Sequence, residues 1–291
     1  MLQAMSPIFD FSPTSIAGLA RADAARALQE DVGAGDLTAS LVDASRRVRA
    51  RVLCREEAVI CGAPWVEAAV HQLEPSASVR WLVAEGERCK KDQVVLEIEG
   101  TARALLTAER TALNFLQLLS AVATKTALYT DAVKGTRAHI VDTRKTLPGL
   151  RLAQKYAVRT GGGTNHRIGL YDAILIKENH IAAAGGVTPV LKAAALIAAQ
   201  ATFVEIEVET LAQLREALDA GAKMVLLDNM DLPTLREAVS INQGRAILEI
   251  SGGVTLDGLR AYAETGVDRI SIGTLTKDVR ATDFSMRLQD L

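Results

Sequence analysis

Six polar or glycine-rich groups recur in the C-terminal part of the chain. They are Asp142-Thr143-Arg144-Lys145, Lys177-Glu178-Asn179-His180, Glu205 with Glu207 and Glu209, Asp228-Asn229, Ser251-Gly252-Gly253, and Gly273-Thr274. Each closes or directly follows a short apolar, β-branched run, and that regularity is hard to assign to loop composition. The groups also sort by charge. Residues 134–167 carry eight Lys/Arg against one acid, Asp142, whereas residues 201–231 carry seven acids against two bases. A basic stretch of that kind suits an anionic substrate bearing carboxylates or phosphates, because the planar Arg fork matches carboxylate geometry. Acids at strand ends suit a hard divalent cation or the hydroxyls of a substrate. Salt-bridged helix surfaces are the competing explanation for part of this charge. Arg151, Lys155 and Arg159, spaced i, i+4, i+8, are expected to share a helix face. Ser251-Gly252-Gly253 and Gly273, ending successive runs, suit a phosphate that approaches backbone N–H groups closely. Alone, the Ser-Gly-Gly triplet reads as an ordinary turn.

The elements that must position these groups are legible in the periodicity. Strand-like runs occur at 138–141, 173–176, 203–208, 224–227, 247–250 and 269–272, and Ala/Leu-rich helical stretches at 187–200, 211–220, 232–241 and 256–265 lie between most of them. Such alternation predicts parallel βαβ units. Function in an α/β barrel collects at the C-terminal ends of the strands, where the groups above fall. Six strands with room for a seventh, in about 180 residues, are short of the roughly 250 of a full eight-fold barrel. An incomplete α/β barrel is expected, with an open doubly wound sheet as the alternative. The N-terminal part reads differently: a helix over 15–29, strands at 48–53 and 58–61, a helix over 63–72, and strands at 79–86 and 94–100 joined by a polar turn. That turn, Glu85 to Asp92, resembles the hairpin of biotinyl and lipoyl carriers, but it lacks their single tip lysine, and a plain β-layer fits as well. A long helix over 105–129, with Thr107 as its cap, joins the halves.

The whole-chain figures exclude several classes. Of 291 residues 49% are apolar, with 33 Lys/Arg and 35 Asp/Glu giving a net charge of −2. No global basic excess is available for a nucleic-acid backbone, and the apolar share argues against disorder. No apolar run is long enough to span a membrane, and residues 1–13 show no export signal. Cys54, Cys61 and Cys89 are odd in number and lack metal-ligand spacing, so they are expected to be reduced, buried or inert thiols of a cytoplasmic protein.

The segment Asp142-Thr143-Arg144-Lys145-Thr146-Leu147-Pro148-Gly149-Leu150-Arg151, with Lys155-Tyr156-Ala157-Val158 and Gly161 to Asp172, resembles the quinolinate phosphoribosyltransferase family. The likeness extends to Glu30–Thr38, Ala108–Asn114, Leu175–His180, Val204–Glu209, Leu227–Met230 and Ser251–Val254, with Glu178 and Thr274 as small departures. It implies an N-terminal open-faced α/β sandwich and a C-terminal seven-stranded incomplete α/β barrel. The domains would be 1–115 and 116–279, with the tail 280–291 packing on the first. It implies transfer of phosphoribosyl from phosphoribosyl pyrophosphate to quinolinate with decarboxylation, in de novo NAD biosynthesis, with Mg²⁺ as cofactor. The carry-over assigns Arg144, Arg167, Lys145 and Lys177 to the quinolinate pocket, with Thr143 and His166 near. Arg110 would be donated by the partner of a homodimer, with any higher assembly open. Glu207 and Asp228 would take the ribose hydroxyls and the metal, directly or through water, and Ser251, Gly252, Gly253 and Gly273 the 5-phosphate. Lys145, Lys177, Glu207 and Asp228 are the expected catalytic set, the lysines alternatively contacting pyrophosphate. Rival readings are a nicotinate-type phosphoribosyltransferase or the molybdenum-operon paralogue of the same fold, a non-enzymatic anion-binding protein, and a carrier domain over 79–100. Nucleic-acid and membrane partners are not expected.

Overall fold

A computed structural model describes residues 8–291. The reading of an absent export signal therefore lies in part, over residues 1–7, outside the described residues. The chain divides into two compact units, one of Met1–Lys125, Ala153–Gly161 and Asp278–Leu291, the other of Thr126–Leu152 and Gly162–Lys277. No helix among the described residues is long and apolar enough to cross a membrane.

The first unit starts with α1 (Pro13–Val32), whose Ser12 cap accepts the Ser15 N–H and whose proline occupies the first turn. It continues through β1 (Arg47–Cys54), β2 (Ala58–Val59), α2 (Ala63–Leu73), β3 (Ser78–Trp81), β4 (Arg88–Cys89) and β5 (Gln93–Thr101) into α3 (Ala102–Ala132). The expected Thr107 cap is wrong. Strand β5 runs straight into α3, the Ala102 N–H already bonds to Arg46 O at 2.8 Å, and Thr107 sits inside the helix with its hydroxyl on Arg103 O. The carrier-like turn is part of the protein layer: β4 within it pairs with β2, and the Gly86 N–H bonds to Ile60 O. All three cysteines are free and buried.

The second unit contributes β6 (His139–Val141), the start of α4 (Arg151–Thr160), β7 (Ile174–Ile176), α5 (Glu178–Ala184), α6 (Val187–Ala195), β8 (Val204–Val208) and α7 (Leu211–Asp219). It continues with β9 (Met224–Asp228), α8 (Leu232–Asn242), β10 (Ile247–Ser251), α9 (Leu259–Ala263), β11 (Arg269–Ser271) and α10 (Thr274–Lys277). Thr210 and Asp231 cap α7 and α8 with their side chains. The six strands form one sheet, every pair parallel, in the order β6-β11-β10-β9-β8-β7. In place of a seventh strand there is a single parallel bridge, Val141 to Thr164. The sheet curls into an open barrel, because Thr143 after the edge strand β6 and Lys177 after the opposite edge β7 line the same pocket.

The last strand, β12 (Phe284–Asp290), belongs to the first unit and pairs antiparallel with β1, giving the sheet order β12-β1-β5-β3. Residues of β1 alternate between buried and less buried. Val48, Ala50, Val52 and Cys54 pack into the core with Val66, Val70 and Leu105 from α2 and α3. Arg49 and Arg51 stand on the other face, opposite Glu99 and Glu97. One face is covered by helices and the other is open.

Candidate active site

Side chains two residues apart on a strand point the same way. In the second unit this builds tiers inside the barrel. Lys177, Glu207, Asp228 and Ser251 form an upper tier at or near the C-terminal ends of their strands, and the residues two steps back on each, Leu175, Glu205, Leu226 and Glu249, form a lower one with Ser271 of β11. Seven of these and five adjoining loop residues, Thr143, Arg144, Lys145, His166 and Arg167, line a pocket of about 190 Å³ formed by the second unit alone.

Acids of the upper tier are individually held. Lys177 Nζ donates to Glu207 Oε2 at 2.9 Å. Asp228 accepts from Ser251 Oγ on one oxygen and from Asn229 Nδ2 on the other, both at 2.8 Å. Asn229 has φ +52°, a left-handed conformation that bears strain and recurs at functional sites. Gly252 and Gly253 follow, exposed and both at positive φ. A Cβ on Gly252 would come within 2.1 Å of Asn229 Oδ1, so the glycine backbone lies directly on the amide that holds Asp228. A Cβ on Gly273 would meet the Lys145 stem at 3.1 Å. Glycine at both places leaves room for a phosphate beside the backbone.

The basic side of the pocket is a pair of guanidinium groups. Arg167 is buried, and the neighbouring Arg144 has an Nε that is buried with no hydrogen-bond partner. Burial first, and the charge of Arg144 second, hold the Arg167 guanidinium below its usual pKa. A buried guanidinium beside a second cation is stabilised by an anion placed between them. Their loops are pinned from behind. Arg151 donates to Thr146 Oγ1 and Ile168 O at 3.1 Å and to Arg144 O at 3.4 Å, and buried Asp142 accepts from the His166 N–H at 2.8 Å and Asn165 Nδ2 at 2.7 Å. Arg151 is thus a loop brace rather than one of a row of surface charges.

The lower tier was largely missed in the sequence. His166 Nε2 lies 2.8 Å from Glu205 Oε2 and 3.6 Å from Glu249 Oε1. Ser271 Oγ donates to Glu249 Oε1, and Arg269 Nε stands 2.9 Å from Glu249 Oε2. Burial raises Glu205 and Glu249 to about 7 each. The signal was available: Ile247-Leu248-Glu249-Ile250 places an acid in a run that a buried parallel strand would keep apolar.

Of the other expected residues, Thr143, Lys145 and Lys177 line the pocket, and Ser251 lies at its Asp228 side. Arg110 is exposed on α3 in the first unit, with no ion pair or hydrogen bond from its side chain among the described residues. Glu207 and Asp228 supply hard oxygen donors from adjacent strands on one face of the sheet, a donor set that fits Mg²⁺.

Comparison with known proteins places the arrangement. Residues 36–120 match the quinolinate phosphoribosyl transferase N-terminal domain, and residues 122–287 match the C-terminal domain of the same family. The chain is 43% identical over 273 residues to a nicotinate-nucleotide pyrophosphorylase [carboxylating] of Mycobacterium leprae, covering 90% of this chain and 95% of the relative. It is 40% identical over 257 residues to a probable enzyme of the same name from Bacillus subtilis, covering 88% and 89%. The solved structure of the nicotinate-nucleotide pyrophosphorylase from Francisella tularensis superposes with a TM-score of 0.92 at 39% identity, covering 98% of this chain and 100% of that one.

Proposed function

Because this chain belongs to the quinolinate phosphoribosyltransferase family, we propose that it transfers the phosphoribosyl group of phosphoribosyl pyrophosphate to quinolinate, with decarboxylation. The products are nicotinate mononucleotide, pyrophosphate and CO₂, a step of de novo NAD biosynthesis. The observation that carries this reading is the Arg144–Arg167 pair, two adjoining guanidiniums with a buried, unpartnered Nε, in the lining of the pocket. A ring with two neighbouring carboxylates supplies the missing charge.

The residues divide the work. Arg144 and Arg167 clamp the carboxylates, and Thr143 and His166 complete that wall. Glu207 and Asp228 hold the ribose hydroxyls, and Lys177, the ion-pair partner of Glu207, together with Lys145 meets the developing charge of pyrophosphate. Such preorganised charges act most strongly where water is excluded. Glu207 and Asp228 would hold Mg²⁺, directly or through water, and the ion would supply further positive charge for the leaving pyrophosphate. Ser251, Gly252, Gly253 and Gly273 seat the 5-phosphate. As the C1–pyrophosphate bond breaks, the ring nitrogen forms the new bond to C1 and becomes cationic. That nitrogen draws in the electron pair of the adjacent carbon–carboxylate bond, CO₂ leaves, and a proton from solvent replaces it. Orienting the nitrogen against C1 is the main task of the pocket.

Arg110 would complete the pocket of the partner in a cytoplasmic homodimer; its exposure and lack of an intramolecular partner support that part. The assay follows CO₂ and nicotinate mononucleotide from quinolinate, phosphoribosyl pyrophosphate and Mg²⁺. Turnover with nicotinate in place of quinolinate, and none with quinolinate, would overturn the reading.

A further inference from the structure

At the pocket floor the barrel spends part of a tier on charge where apolar side chains would fit. Leu175 and Leu226 occupy that tier on β7 and β9, yet β8 and β10 place Glu205 and Glu249 there, both fully buried. Burying neighbouring acids is unfavourable unless each is held. The first is held by His166 and the second by Ser271 and Arg269. The Arg269–Glu249 contact is ionic and misaligned for a hydrogen bond, since Arg269 Nε and Glu249 Oε2 have no hydrogen-bond partner. Arg269 also supplies the cation that the trio His166, Glu205 and Glu249 would otherwise offer a metal.

His166 is the link to the pocket, and its tautomer follows from its neighbours. The Arg167 N–H donates to His166 Nδ1 at 2.7 Å, so Nδ1 carries no proton. The proton is on Nε2, which donates to Glu205 Oε2. Both ring nitrogens are thereby engaged within the protein. The imidazole has no nitrogen to offer a substrate, and it is not the acid or base of the reaction. What it does have is a hydrogen bond at each end, one to the buried acids and one to the backbone of Arg167. Phe203 packs against the ring edge-on at 5.3 Å and removes its remaining freedom.

We propose that Glu249 is a positioning residue: anchored by Arg269 and Ser271, it confines Glu205 and His166, and His166 in turn sets the backbone and guanidinium of Arg167 opposite Arg144. The inference deepens the reading of the pocket as a dicarboxylate clamp and rests on it. It assigns to the charged floor of the pocket the spacing of the two guanidiniums, and hence selectivity for a ring with adjacent carboxylates.

The test uses the full-length enzyme with Glu249→Gln, which keeps shape and loses charge, and Glu249→Leu, which fills the tier with a neighbour's residue type. Glu249→Gln is expected to raise KM for quinolinate about tenfold. KM for phosphoribosyl pyrophosphate and kcat should move less than about threefold. In an Arg167→Ala background the same substitution should have no further effect on the quinolinate KM, because its route is already cut. Glu249→Leu should reproduce the KM effect while its melting temperature equals or exceeds that of the parent. A wild-type quinolinate KM in Glu249→Gln, equal losses for both substrates, or full additivity with Arg167→Ala would overturn the proposal. Nitrogen NMR of the imidazole rings, with His166 assigned through His166→Asn, tests the geometry without turnover. A proton on Nε2 and a bare Nδ1 are expected, with the Nε2–H resonance shifting in Glu249→Gln. If that signature holds while quinolinate is not turned over, the functional reading fails and the positioning network stands; a protonated Nδ1 overturns the network itself.

Discussion

The two units handle charge in opposite ways. On the open face of the first unit's sheet two arginines of β1 face acids in register: Arg49 meets Glu99 and Arg51 meets Glu97, which also takes Arg80 from β3, while Arg46 just before β1 meets Asp290. Arginine contacts hold the Glu97 carboxyl below its usual range. In the second unit like charges sit together: Arg144 beside Arg167, and Glu205 beside Glu249, the Arg167 guanidinium held below its usual pKa and the acids raised to about 7. The first pattern stabilises a surface, and each pair is complete within the chain. The second leaves a deficit of opposite charge at one place, which is what a binding site for a small dianion requires.

That contrast breaks most sharply at two cations assigned to the substrates. Arg110→Ala and Lys177→Ala are each expected to be nearly inactive, losing about 10²–10³-fold or more in kcat, the scale of a lost electrostatic contact to the transition state. Mixed under subunit exchange, they should recover about a quarter of wild-type activity per site, since one site of each heterodimer is intact. No recovery with heterodimers confirmed would mean that Arg110 acts within its own chain.

A smaller effect is expected at the phosphate side. Gly252→Ala would force its Cβ against Asn229 Oδ1 and bear the strain of φ +100°. The Asn229 amide must then leave Asp228. KM for phosphoribosyl pyrophosphate should rise by about tenfold or more and stability should fall by about 1–3 kcal/mol. An unchanged KM measured by steady-state kinetics would show that this loop does not seat the phosphate.

The comparison also has a sign that pH reveals. Glu249 titrates at 4.5 when unfolded and at about 7 when folded, so the folded state binds the extra proton between those values. Stability of the second unit should fall as pH rises from 5 to 8, by about 1–3 kcal/mol for this group. Glu249→Gln should remove that fall. Glu97 has the opposite sign: its contribution is present above the unfolded pKa and is lost as pH falls through the lowered folded value. Urea denaturation of both proteins at pH 5 and 8 separates the two, and an equal slope in parent and Glu249→Gln would refute the buried-acid account.

The sequence made the second unit's rhythm legible because buried parallel strands are short apolar runs ended by polar groups, and β6 through β11 all lie on predicted runs. The open barrel depends on a single bridge at Thr164, too short to leave a periodicity. The helix expected over 187–200 stops at Ala195 and resumes as a short 3₁₀ turn over Ala198–Gln200. An Ala/Leu-rich composition carries no stop signal there. In the site, Lys177, Glu207 and Asp228 were visible because strand ends concentrate function. Glu249 and Arg269 were passed over because they lie one and two steps deeper, where only the strand period, not the loop, puts them in line with the pocket. The pairing of Arg49 and Arg51 with Glu99 and Glu97 needed the register between β1 and β5, which no local pattern supplies.

The smallest effect completes the contrast. Arg49 and Glu99 are both about two-thirds buried, with side-chain exposures of 38% and 37%, and join through two donors, Nε and Nη2, on one carboxylate oxygen. Partly solvated pairs of this kind contribute about 0.2–1 kcal/mol. Arg49→Ala should therefore lower stability by no more than about 1 kcal/mol. It should leave kcat and both KM values at wild-type levels. The Arg49→Ala/Glu99→Ala double variant should lose less than the sum of the two single losses, because the second partner has nothing left to pair with. Raising salt should shrink the coupling further, as ions screen a pair that solvent can reach. The Arg144–Arg167 pair should respond differently, since repulsion between a buried cation and its neighbour is relieved by a bound dianion rather than by bulk ions. A tenfold change in the quinolinate KM of Arg49→Ala would erase the distinction between charges that complete the fold and charges that wait for a substrate.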